Sequence, residues 1–156
     1  VLVGNRIGAQ KKAEAYQTVK NIATLGILFA WTVGLIVILT RGLVVQLYDL
    51  SPSGEFNVRM LMLMMACTVW IRMFNFITFI GAFRAGGDTR FALIMEICSI
   101  WLIGVPAAYL GAFVFHLPVY FVYLMVMIEE AAKSLVSVWR FRSRKWIHDL
   151  VNVEAG

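Results

Sequence analysis

Residues 21–40 read NIATLGILFAWTVGLIVILT, an uncharged run that begins after Lys20 and ends before Arg41. An α-helix rises 1.5 Å per residue, so about 20 apolar residues carry a chain across the roughly 30 Å hydrocarbon core of a bilayer. Length and composition together predict a membrane-spanning helix here. Working outward, three further blocks repeat the pattern. Residues 60–83 are interrupted only by Arg72, residues 91–115 hold Glu96 near their start, and residues 118–139 contain Glu129, Glu130 and Lys133. The chain is 61% hydrophobic and 15% charged, with a mean hydropathy of +0.80. A soluble domain is nearer half apolar and a quarter charged. The expected fold class is therefore all-α, a polytopic membrane helix bundle.

The connections suit this reading. DLSPSGEFN (49–57) combines proline, glycine, serine and acids, and reads as a turn-rich loop. AGGDTR and HLP are short links, which make neighbouring helices antiparallel. Three regions result: a connector over 1–20 that includes the end of a preceding helix, a four-helix part over 21–139, and a basic tail over 140–156. GAQKKAEAYQTVK (8–20) is polar, basic and helix-prone, as a connector lying near lipid headgroups would be. The chain starts at Val1 with no initiator Met, so a longer protein cut on its N-terminal side is expected.

Charge sets the expected orientation, because cytoplasmic links are enriched in Lys and Arg. Arg6, Lys11, Lys12, Lys20, Arg84, Arg90, Arg140, Arg142, Arg144 and Lys145 fall on one side, and only Arg41 and Arg59 on the other. Both ends and the second link are thus expected in the cytoplasm, in a multi-pass protein of the plasma (inner) membrane with lipid as a partner. The tail RFRSRKW fits an anchor against anionic lipid better than a nucleic-acid patch. Trp139 and Trp146 fit interfacial anchors, and His116 and His148 fit solvated positions. Cys67 and Cys98, inside apolar blocks without metal-type spacing, fit packed thiols. No nucleophile–base constellation, metal-ligand spacing or cofactor motif is present, so neither an enzyme nor a metal centre is expected.

IGAFRAGGDTRF (80–91) places two glycines five residues apart, as in a phosphate-binding loop. Such a loop also needs Gly-Lys followed by Ser or Thr. Here Gly86 is followed by Gly87 and Asp88, after a membrane helix rather than a strand, and the nucleotide reading fails. A tight hairpin fits instead. Gly86 and Gly87 supply positive φ, Arg84 ends one helix at the headgroups, and Asp88 caps the next.

GAFRAGGDTRF, followed by WLIGVPAAYL (101–110) and preceded by VGNRIGA (3–9), resembles the second half of a multidrug and toxic compound extrusion (MATE) transporter. Gly4, Asn5, Gly8, Gly81, Arg84, Gly86, Gly87 and Asp88 carry the motif. The resemblance implies twelve helices in two six-helix lobes, with the four blocks as helices nine to twelve. It implies cation-coupled antiport, with Na⁺ or H⁺ entering as drugs or organic cations leave, and an N-terminal lobe as partner. One departure stands out. Where some members carry an acid in the tenth helix, this chain has Met73 with Arg72 beside it. A lipid-linked sugar flippase of the wider superfamily and a non-transporting membrane scaffold are the alternatives.

The charges inside the blocks carry the rest. A charge at the bilayer centre costs about 2.5–3.5 kcal/mol on insertion scales and is usually partnered or functional. Thr68, Arg72 and Asn75 share one helix face, and Tyr123, Glu130, Ser134 and Ser137 share another. Glu129 and Lys133 can pair within their helix. Arg72 is expected to pair with a carboxylate of the last helix, as transport or gating machinery or as a static tie. Glu96 is expected to be an acid of the first turns facing the cytoplasm, or else a proton or cation ligand. Gly104 and Pro106 should kink the third helix, for packing or as a hinge. MLMLMM (60–65) reads as lipid-facing or packing surface, or as an adaptable contact for substrate.

Overall fold

The computed structural model describes residues 2–147. His148 and the end of the basic tail lie outside the described residues. A short helix, α1 (Leu2–Gly8), meets the long α2 (Lys12–Gln46) at an elbow where Gln10 takes φ 59°. α2 is 35 residues long, so the stretch expected as a headgroup connector is largely the first turns of the membrane helix itself. Its sequence from Lys12 to Lys20 holds no glycine or proline to interrupt it. Within the span, Thr24, Thr32 and Thr40 each donate to the carbonyl four residues back, at 3.0, 3.1 and 2.8 Å. Those bonds keep the hydroxyls from being unmatched donors in lipid.

α3 (Pro52–Arg84) starts inside the expected loop. Ser51 caps it by accepting from the Gly54 N–H at 3.3 Å, and Pro52 occupies the first turn, where its missing N–H costs nothing. The proline that reads as a loop breaker therefore begins the helix. From Ile77 to Arg84 the ladder widens to π-helical spacing before the turn into α4 (Thr89–Val114). α4 has two such wide segments, Ile100–Gly104 and Leu110–Val114. The Val105 N–H bonds back to the Ile100 carbonyl, five residues away, immediately before Pro106. The irregular ladder expected around Pro106 is thus present, as a widened turn. α5 (Val119–Arg142) follows Pro118.

α2 packs along α3, and α3 and α4 both pack against α5. Glycines set the closest approaches. A Cβ on Gly34 would lie 2.6 Å from the Ala66 carbonyl oxygen, and one on Gly111 would lie 2.9 Å from the Met125 sulfur. Small residues at crossings are how membrane helices bring their backbones together. Leu25, Leu28, Phe29, Leu39, Trp101, Leu102 and Phe113 face outward and are exposed. Among the described residues, α2, α3 and α4 are long and apolar enough to cross a membrane. α5 spans 24 residues, and Glu129, Glu130 and Lys133 interrupt its apolar sequence. Cys67 and Cys98 are exposed on the bundle surface rather than packed inside it, because each lies on the outward side of its helix.

A packed apolar cluster lies at the end of the bundle shared by α1, the α3–α4 turn and the segment after α5. Val3, Ile7, Val19, Phe79, Phe83 and Trp146 form its centre. Trp146 is fully buried, which corrects its reading as an interfacial anchor, whereas Trp139 remains 61% exposed. Its indole N–H donates to the Phe141 carbonyl at 3.2 Å, and the Phe141 ring stacks on both Trp146 and Tyr16. Asp88 makes no cap on α4. Its carboxylate accepts from Arg140 Nε at 2.9 Å, a charge-assisted bond that draws it toward α5. In the turn only Gly87 has positive φ (88°); Gly86 is needed for space, since a Cβ there would sit 2.4 Å from the Trp146 carbonyl oxygen.

Gly86→Val should therefore expel the Trp146 segment, because backbone as well as ring blocks the new side chain. The expected cost is about 1–3 kcal/mol, read as a lowered Tm and a red-shifted tryptophan emission of the detergent-purified full-length protein. Gly81→Ala, whose Cβ would meet only Ile77 Cγ2 at 3.6 Å, should leave both unchanged.

Candidate functional site: a buried polar network beside a cleft

The stripe expected on α3 and the one expected on α5 face each other. Thr68 and the Tyr123 hydroxyl are hydrogen-bonded at 2.8 Å. Seven residues along α3, Asn75 Nδ2 donates to the Glu130 carbonyl at 2.9 Å and to Glu130 Oε2 at 2.7 Å. Ser134 donates to Asn75 Oδ1 at 3.0 Å, so both ends of the Asn75 amide are used. α4 contributes Ser99, which donates to Glu129 Oε1 at 3.0 Å. Three helices are thereby joined by polar side chains in the interior of the bundle.

Lys133 is the hub. Its Nζ lies 2.8 Å from Glu129 Oε1, the expected pair within the helix, and 3.3 Å from Glu130 Oε1. Lys133 is 7% exposed and Glu129 6% exposed. Ionised groups at such burial are tolerated only when paired and fully hydrogen-bonded. Two carboxylates around one ammonium leave one net negative charge when all three are ionised. Gly104 gives Glu129 its room: a Cβ there would stand 3.4 Å from Glu129 Oε2. One turn beyond Lys133, Ser137 is fully buried with no hydrogen-bond partner for its Oγ.

The expected pair between Arg72 and a helix carboxylate does not form. Glu130 is already engaged by Asn75 and Lys133, and the Arg72 guanidinium lies over the Tyr123 ring, 5.4 Å from its centroid. Arg72 is exposed on the wall of a cleft of about 440 Å³, which Met73, Asn75, Phe76, Phe79, Glu96, Glu130 and Lys133 also line. Glu96 pairs with Arg84 at 3.1 Å; both are half-exposed, and Glu96 edges the cleft rather than pointing only to the bundle end.

The motif residues lie elsewhere. Gly4, Asn5 and Gly8 belong to α1, with Asn5 exposed and open space around Gly8, while Gly86, Gly87 and Asp88 form the turn clasped by the tail. Pro106 stands two residues after Gly104, the position that packs against Glu129. Ser99 is the functional candidate that sequence reasoning missed. Its signal was a hydroxyl three residues after Glu96 in an otherwise apolar block.

The architecture defines a class: a polytopic helical membrane bundle with an ionic cluster beside an open cleft. The MatE family profile matches residues 1–110, and the chain belongs to this family of transporters. That match covers α1 to α3 and most of α4 and ends before α5, which carries the buried charges. A relative from Bacillus subtilis (strain 168), "Uncharacterized transporter YisQ", is 31% identical over 149 residues, covering 94% of this chain and 32% of the relative. The chain thus spans about a third of that relative's length. No solved structure matches the chain significantly.

Lys133→Met strands the buried Glu129 carboxylate and the half-buried Glu130 carboxylate and should cost about 3–5 kcal/mol, seen as a lower Tm of the purified full-length protein. Adding Glu129→Gln to Lys133→Met should restore part of that loss. A double variant no more stable than the single one would place the strain elsewhere than in this pair.

Proposed function

We propose that the full-length protein is a secondary active antiporter that exports drugs or organic cations in exchange for Na⁺ or H⁺. On this reading the chain supplies four helices of one lobe in the plasma membrane, with both ends cytoplasmic and a second lobe completing the pathway. Family membership supports the transporter class. The observation that carries the coupling is the Glu129–Lys133–Glu130 cluster, buried yet adjoining an open cleft. Ionisable residues inside membrane-spanning segments mark substrate and ion pathways.

The cluster has a chemistry suited to a two-state element. Protonating Glu130 would remove one of the carboxylate acceptors that hold Asn75 and Lys133, and a bound Na⁺ would compete with Lys133 for the same oxygens. Either event weakens the seam between α3 and α5, and an ion that binds one packing better shifts the population toward it. The widened turn before Pro106 gives α4 a place to yield, so Gly104 and Pro106 are assigned as a hinge.

Reconstituted in liposomes, the full-length protein should expel a fluorescent dye under an imposed Na⁺ gradient, a pH gradient or both. Glu130→Gln should abolish gradient-driven efflux while the protein still folds, as checked by its elution profile and Tm. Undiminished, gradient-dependent efflux by that variant would refute coupling through this cluster.

A further inference from the structure

We infer that Arg72 is an anion-binding subsite of the cleft, so that the preferred substrates carry a carboxylate on an apolar body. This inference rests on the cleft being part of the substrate pathway. Arg72 stands twelve residues from the Arg84 end of α3, about 18 Å along the axis, beyond the reach of its side chain to a headgroup. At that depth its charge is costly unless something answers it. Among the described residues it forms no ion pair.

The surroundings explain how the charge is kept available. The Arg72 guanidinium lies over the face of the Tyr123 ring, and the hydrogen bond between Thr68 and the Tyr123 hydroxyl holds that ring in place. Among the described residues the Arg72 N–H donors make no hydrogen bond or ion pair, and their fork matches a carboxylate. The other cation in the cleft, Lys133, is occupied by Glu129 and Glu130. Glu130 in turn is held by Asn75 and Lys133 and is not free to neutralise Arg72. Glu96, at the cleft edge, is paired with Arg84, so an incoming anion meets one open cation, with Met73 and Phe76 beside it to take an apolar or aromatic body. The net negative charge of the neighbouring cluster also favours an ammonium on the same ligand, so a zwitterion fits both poles.

The test uses a matched pair of xanthene dyes, rhodamine 110 with a free carboxylate and rhodamine 123, its methyl ester. Binding to detergent-purified full-length protein is followed by fluorescence anisotropy, and efflux is followed in liposomes. The wild type should bind the acid about tenfold more tightly than the ester, the scale of a charge-assisted hydrogen-bond pair. Arg72→Gln should bring that ratio close to one, and Arg72→Lys should keep part of it. Equal affinity of the wild type for the two dyes, no binding of either, or an unchanged ratio in Arg72→Gln would overturn the proposal. The wild-type ratio needs no variant, so a misfolded Arg72→Gln does not remove the test. Selective binding of the acid without efflux would uphold the subsite and refute the transport reading.

Discussion

An ammonium held between two carboxylates inside a membrane bundle constrains everything around it. Lys133 neutralises Glu129 and Glu130 only partly, so the remaining lone pairs need donors from other helices. Ser99 of α4 and Asn75 of α3 supply them, and this fixes the rotation of both helices against α5. Apolar packing alone would leave that rotation loosely specified, because leucine and isoleucine are as content against lipid as against another helix. Polar matching is what gives the bundle one arrangement.

The same matching explains why Arg72 stands apart. Its position on the α3 stripe is one turn from Asn75, and sequence spacing alone suggests it should share the carboxylates. The structure contains enough donors for Glu130 without it. A periodic pattern identifies which residues share a face, but it does not count the lone pairs already taken. That accounting requires the partner helices to be in place.

What was legible follows the range of each interaction. The four helices could be read because bilayer thickness and hydropathy act residue by residue, and the α3 and α5 stripes because helical periodicity is local. The Glu129–Lys133 pair was legible as an i, i+4 spacing. Helix ends were less so. Pro52 and the polar residues after Lys11 carry cues used both for loops and for first turns, and Ser51 decided the matter only through its bond to Gly54. The roles of Trp146, Asp88 and Ser99 were hidden, since each depends on a partner far along the chain. The basic tail resembled a lipid anchor by composition, yet Arg140 and Trp146 turn inward to the α3–α4 turn.

The elbow at Gln10 joins a short helix to one that continues without interruption from Lys12 to Gln46. Such a rod is about 50 Å long, and it is clasped near its start by the Tyr16–Phe141 stack. Because α2 packs along α3, with Gly26 against Ile77, Gly34 against Ala66 and Gly42 against Arg59, a tilt imposed at α1 would have to carry both rods together rather than bend one away from the other.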